Sequence, residues 1–183
     1  MRAEEPNTVV LTEDETILRE CPPLRACWGK VGRPVEVPIT ITGSNARRVV
    51  FGALNPFTGT RLCLTAARNG GPEFRTFLRY LRGVYKRWDL LLVLDRGSCH
   101  TAKATLALAA ALRITLAWLP TACPELNPVE ALWRDGKQRV SANRVYSTVD
   151  EQADRFTDHL CRLSNDEALR LAGLQSGNYW LTT

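Results

Sequence analysis

The sequence predicts a mixed α/β domain, one central sheet with helices packed against it. Three observations predict this. Short aliphatic and β-branched runs fill the first half, an unbroken apolar run at Leu90–Leu94 ends on an acid, and the second half alternates helical periodicity with one more strand.

Thr8–Leu11 reads as a short strand ending in the acids Glu13, Asp14 and Glu15. Cys21 to Gly43 is loop-rich, punctuated by Pro22, Pro23, Gly29, Gly32, Pro34 and Pro38. Arg48–Leu54 and Arg61–Ala66 read as a hairpin around Asn55-Pro56-Phe57-Thr58-Gly59. From Pro72 to Trp88 the period becomes helical, with Phe74, Phe77, Leu78, Leu81 and Tyr85 on one stripe. Arg75, Arg79, Arg82 and Lys86 form a second stripe, which reads as a solvated face or as a contact for DNA phosphates. Leu90–Leu94 has the pattern of a strand buried on both faces. A short helix over 102–112 and a strand at Ile114–Leu119 follow. Asn127 as cap and Pro128 as first helical residue open a helix that carries Val129 to about Val140. Ser147–Glu151 opens another, through about Leu163, and Asn165-Asp166-Glu167 a last short one.

The 183 residues fit a single domain spanning 1–183. With 45% apolar and 23% charged residues the composition is that of a soluble globular protein. No apolar run approaches the ~20 residues of a membrane span, and Met1–Pro6 has no apolar signal region, so a cytoplasmic protein without a membrane partner is expected. None of the six cysteines forms a C-x-x-C pair and there are only two histidines, so neither a zinc framework nor disulfides are expected. Net charge is +5, and twenty of the 24 basic residues are arginines, whose planar forks suit phosphate oxygens. Nucleic acid is thereby permitted as a partner.

The acids carry the chemistry. Asp95 abuts a deeply apolar strand, where a carboxylate is held rigidly yet emerges at the sheet edge. Asp14 is placed at the end of the first strand and Glu130 in the first turn of the helix begun by Asn127-Pro128. The three converge only if the first strand and the Leu90–Leu94 strand are neighbours.

Leu94-Asp95-Arg96-Gly97-Ser98-Cys99-His100 and Leu119-Pro120-Thr121-Ala122-Cys123-Pro124-Glu125-Leu126-Asn127-Pro128-Val129-Glu130-Ala131-Leu132-Trp133 together resemble the mariner-like DDE transposases, bacterial insertion-sequence enzymes most of all. Thirty-four residues separate Asp95 from Glu130, the spacing typical of that group. Asp14-Glu15 matches the family's first acid pair, and Trp28-Gly29 with Gly32-Arg33-Pro34 its Trp and Gly-x-Pro stretch. The resemblance implies an RNase H-like fold and DNA strand cleavage and transfer at transposon ends. It also implies two Mg²⁺ ions, or Mn²⁺ in their place, on Asp14, Asp95 and Glu130, since such a displacement at phosphorus needs hard oxygen ligands. Transposon-end and target DNA, a homodimer on DNA and a bacterial, nucleoid-associated location come with it. Secondary roles near substrate fall to His100, Arg96, Lys137 and Asn127. His100 reads equally as a structural histidine, and Trp133 as core.

Two departures stand out. Arg96 replaces the family's usual asparagine, next to a presumed metal ligand, and no room is expected before Thr8 for the family's helix-turn-helix segments. A separately encoded helix-turn-helix portion is the partner this implies. An inactive remnant that dimerises or binds DNA loosely is the first alternative. A haloacid-dehalogenase-type phosphatase is the second, and it fails on Gly97, where that chemistry needs a second aspartate.

Overall fold

The first strand does not stop before its acids; it runs through them. Thr8–Arg19 is one twelve-residue strand, β1, so Asp14 lies mid-strand rather than at a strand end. Pairing explains the difference. The antiparallel neighbour Arg47–Leu54 (β2) hydrogen-bonds the acidic half, from Thr12 opposite Leu54 to Arg19 opposite Arg47. Cross-strand bonds thus carry the strand over residues whose own β-propensity is low. The computed structural model describes residues 7–33, 35–37 and 46–177. The readings made on Met1–Pro6, Pro34, Pro38 and Gly43 lie outside these.

Arg61–Ala66 (β3) completes the expected hairpin with β2. Asp89–Leu94 (β4) pairs parallel to the first part of β1, from Thr8–Asp89 to Thr12–Val93, and Ile114–Trp118 (β5) pairs parallel to β4. The sheet order is β3-β2-β1-β4-β5, so β1 and β4 are neighbours, as convergence of the acids requires.

Helices cover both faces. On one, Gly71–Val84 (α1) and Lys103–Ala111 (α3) pack over Leu11, Phe51 and Leu92. The Phe51 ring lies 5.9 Å from that of Phe77 and 6.1 Å from that of Phe74. The one-turn helix Ser98–Thr101 (α2) joins β4 to α3. On the other face Val129–Gly136 (α4), Val149–Arg162 (α5) and Asn165–Leu171 (α6) bury Leu132, Trp133, Phe156 and Leu160 against Leu18, Val50 and Leu54. A Ser164–Glu167 capping box opens α6, satisfying two orphan backbone donors.

Two helices end earlier than periodicity predicts. α1 stops at Val84 rather than Trp88, because Arg82 draws the following carbonyls together. Its guanidinium donates to the carbonyls of Tyr85 at 2.8 Å, Trp88 at 2.6 Å and Arg113 at 3.0 Å. Part of the basic stripe is therefore structural. α4 stops at Gly136 and gives way to a π-helical turn over Lys137–Ser141, whose wider winding buries Val140 and Ser141. All six cysteines are free thiols, and among the described residues no helix is long and apolar enough to cross a membrane.

The hairpin turn is locked to the α5–α6 junction. Arg61 donates to the carbonyls of Leu160, Cys161 and Leu163, the orphan acceptors at the end of α5. Gly59 has φ +74°, and a Cβ there would stand 2.2 Å from the Asn165 carbonyl oxygen. Gly59→Ala is expected to destabilise the fold by about 2 kcal/mol or more. Gly83→Ala, in an exposed helical position with open space around it, should stabilise by about 0.5 kcal/mol. Urea unfolding of both variants checks the pair, and equal effects would contradict the turn's close packing.

Candidate active site

Alternation along β1 sends its acids to opposite faces of the sheet. Val10, Thr12, Asp14, Thr16 and Leu18 point towards the α4–α5 layer, and Val9, Leu11, Glu13, Glu15 and Ile17 towards the α1–α3 layer. Of the three acids, Asp14 faces the helix that bears Glu130. On β4, Leu91 and Val93 share the Asp14 side. Pairing of β1 with β4 ends at Thr12–Val93, and Asp95 follows directly after β4.

Glu130 is brought in by two tethers from the start of α4 to β1. Asn127, buried, donates through Nδ2 to the Glu13 carbonyl at 2.8 Å, and its Oδ1 accepts from the Val129 N–H at 3.3 Å. α4 begins at Val129 with Pro128 in the cap position, one residue later than expected, so the Asn127 amide, bonded to the first helical N–H, serves to fasten the helix to the strand. Trp133, one turn after Glu130, is buried as expected but does more than fill space. Its Nε1–H donates to Asp14 Oδ2 at 2.9 Å. Gly52, opposite Asp14 on β2, makes room for the indole, since a Cβ there would lie 2.3 Å from Trp133 Cη2.

The electrostatics report the convergence. Burial pushes the pKa of Asp14 up to about 7, the facing Glu130 carboxylate and then Glu15 add to the rise, and the Trp133 hydrogen bond opposes it. Two carboxylates thus face each other in a partly dry setting where a cation would relieve both.

Asp95 is held from the other side. Its Oδ1 accepts from the Gly97 N–H at 2.8 Å and lies 2.8 Å from His100 Nδ1, which leaves Oδ2 for a ligand. His100 is 1% exposed, and its Nε2 faces the carboxylates of Glu15 at 3.5 Å and Glu13 at 3.7 Å. Burial opposes a charge on the imidazole, but Cys99, Glu15 and Glu13 outweigh it and push its pKa up to about 12. Burial in turn drives Glu13, wholly enclosed, well above the usual carboxylate range. His100 is therefore both structural and a support for Asp95. Arg96 does not pair with Asp95; its guanidinium lies over the Trp118 ring, 6.0 Å from the centroid. Lys137 stands beyond α4, lining a cavity with Ile17, Arg19 and Gln152.

A family model described as DDE superfamily endonuclease matches residues 9–152, and Asp14, Asp95 and Glu130 all fall inside it. The chain belongs to the DDE superfamily endonucleases. Among solved structures, the mariner Mos1 paired-end complex with Mg aligns with a TM-score of 0.69 at 13% identity, over 92% of this chain and 52% of that one. A pre-cleavage Mos1 transpososome aligns at 0.67 and 13%, over 90% and 52%. The Mos1 catalytic domain with raltegravir and Mg aligns at 0.59 and 10%, over 91% and 78%. These likenesses establish an RNase H-like fold for the DDE unit. The chain spans about half the length of the Mos1 chains in the DNA complexes. No curated protein sequence matches it.

Three features of the site escaped sequence reasoning: the Trp133–Asp14 bond, the Asn127–Glu13 tether, and the Glu13–Glu15–Cys99–His100 cluster. The signal for the last was the strand period, which sets Glu13 and Glu15 together on the face away from Asp14. Trp133→Phe should cost about 2–3 kcal/mol, because it strips a buried carboxylate of its donor and leaves a void. Urea unfolding would test it. Because folded Asp14 keeps its proton up to about pH 7 while the unfolded chain releases it near 4, its contribution to stability falls as pH rises between those values. The difference in Tm between the parent and Asp14→Asn should follow that window; a flat difference would contradict the shift.

Proposed function

We infer that this chain is a transposase catalytic domain, one unit over 1–183, that cuts DNA at transposon ends and joins the ends to target DNA. In this reading two Mg²⁺ ions, or Mn²⁺, sit on Asp14, Asp95 and Glu130. The observation that carries it is Asp14 on β1 facing Glu130 on α4, whose start is tied to β1 through Asn127 and Trp133, with Asp95 directly after the neighbouring parallel strand β4. The family match over residues 9–152 and the fold shared with Mos1 support it.

The donor set fits the ions in kind. All three residues offer hard carboxylate oxygens, and the raised Asp14 pKa reflects burial first and the facing Glu130 carboxylate second. The triad is not closed, however. Among the described residues, the ligand atoms that lie within 4.8 Å of one another belong to Glu15, Cys99 and His100 instead. Mg²⁺ keeps several waters, so a few carboxylates spaced by water suffice. Ions held by Asp14, Asp95 and Glu130 would supply Lewis-acid stabilisation of charge on the oxygens in a displacement at phosphorus.

The chain's own residues hold this arrangement. Trp133 Nε1–H and the Glu15 backbone N–H both bond the Asp14 carboxylate and fix its orientation. His100 and Gly97 fix Asp95 Oδ1 and present Oδ2. Arg96, exposed at the strand end and kept off the carboxylate by Trp118, is available to a DNA phosphate. Water would attack in cleavage, and a freed 3′-hydroxyl in joining. Recognition of transposon ends is left to a helix-turn-helix portion, with a homodimer assembling on DNA in the bacterial nucleoid.

Calorimetric titration with Mn²⁺ and nicking of supercoiled plasmid test the reading together. Asp14→Asn, Asp95→Asn and Glu130→Gln should each weaken Mn²⁺ binding and lower Mn²⁺-dependent nicking by about 1,000-fold. Nicking that survives Asp95→Asn would sink the reading.

A further inference from the structure

Behind the candidate active site, on the opposite face of β1, lies a second constellation that the proposed cleavage chemistry does not use. Glu13 is fully buried, and neither of its carboxylate oxygens has a hydrogen-bond partner. Glu15 Oε2 and His100 Nε2 are likewise buried and without one. These atoms are aimed at one another: Nε2 stands 3.5 Å from Glu15 Oε2 and 3.7 Å from Glu13 Oε2. Cys99, a half-buried free thiol, completes the group, and ligand atoms of Glu15, Cys99 and His100 all fall within 4.8 Å of one another. Leaving so many buried polar atoms without partners is costly, which asks what satisfies them.

The spacing answers. Four ligands held 2.0–2.3 Å from a tetrahedral ion stand about 3.3–3.8 Å apart, and the two distances between His100 and the carboxylates fall in that interval. The rest of the His100 ring also fits a ligand. A metal-bound histidine ordinarily gives its other ring N–H to a carboxylate, and Nδ1 lies 2.8 Å from Asp95 Oδ1. An orienting contact exists for Glu15 too, whose Oε1 accepts from Asn69 Nδ2 at 2.7 Å. A cavity of about 300 Å³ bordered by Glu15, Asn69, Gly97 and Cys99 gives an ion a way in.

We propose that Glu15, Cys99 and His100, joined by Glu13 at its 3.7 Å approach to His100, hold a structural Zn²⁺ ion, at a site distinct from the Asp14–Asp95–Glu130 site and separated from it by β1. The mix of thiolate, imidazole and carboxylate selects zinc over Mg²⁺, which requires oxygen ligands. Binding releases the Cys99 thiol proton and any protons on His100 Nε2 and the Glu13 carboxyl, and no other bond in the chain is made or broken. The ion pins the imidazole and, through Nδ1–H, the Asp95 carboxylate beyond it. The site itself does not depend on the transposase reading.

Co²⁺ is the probe, added to the reduced, intact chain in excess Mg²⁺ so that hard-oxygen sites are filled. One equivalent should bind with tetrahedral visible absorption and a thiolate-to-cobalt charge-transfer band, and Zn²⁺ should displace it. Cys99→Ser should abolish that band although the five other cysteines remain, whereas Glu130→Gln, across the sheet, should keep it. Glu15→Gln, the milder change, should keep the band and weaken binding by about 10–100-fold. Zn²⁺ at saturating concentration should raise Tm by roughly 5–10 °C in the parent chain and not in Cys99→Ser. The proposal is overturned if no charge-transfer band forms, if it survives Cys99→Ser, if Glu15→Gln leaves affinity unchanged, or if Glu130→Gln removes it. Failure of this test leaves the Mn²⁺ and nicking results of the transposase reading untouched, and the reverse holds as well.

Discussion

A strand in the middle of a sheet normally carries apolar side chains to both faces; here β1 carries three successive acids there. Everything near the candidate site answers the desolvation this imposes. On one side Asp14 receives the Trp133 N–H, and Gly52 gives up its side chain so that the indole can reach it. On the other, Glu13 and Glu15 surround His100, which in turn supports Asp95. The two constellations share a backbone, so strain or charge introduced at one is felt at the other through a single strand.

Much of this was legible in the sequence, and the limits have physical causes. Leu90–Leu94 and the hairpin at Arg47–Leu54 and Arg61–Ala66 read correctly because their apolar patterns are local. The placement of Asp95 after a buried strand and of Glu130 in the first turn of a helix was legible because each abuts a strongly patterned element. β1 was cut short because its acidic half is a strand only by virtue of β2, a partner 42 residues away at the Thr12–Leu54 pair. The end of α1 was missed because Arg82 looks like a solvent-facing basic residue until Trp88 and Arg113 are folded beside it. Cysteine spacing gave no hint of a metal, since Cys99 and His100 meet their carboxylates only across the β1–α2 interface.

Arg96 illustrates how a basic residue next in sequence to an acid can be kept off it. Stacked over Trp118 at the end of β5, its guanidinium is directed along the sheet edge rather than into the carboxylate. The same position keeps positive charge at the mouth of the site, where a phosphate backbone would pass. Positive charge elsewhere is partly committed to the fold, as Arg61 and Arg82 show by satisfying backbone carbonyls. Net charge therefore overstates the basic surface left for nucleic acid.

Parallel pairing between β1 and β4 ends at Thr12–Val93, and from there the two strands part. The next β1 residue on that edge, Glu13, offers its carbonyl not to a strand but to the Asn127 amide. A side chain thus stands in for a missing β-strand at the fork of the sheet. Glu130 is consequently located by a lever of three residues from that amide, not by the length of polypeptide linking it to Asp95. The loop before Cys123 can lengthen or shorten at small entropic cost while the carboxylate keeps its place. The interval between the last two acids is a record of connecting chain, whereas the place of Glu130 is written in the bonds of Asn127 and Trp133 to β1.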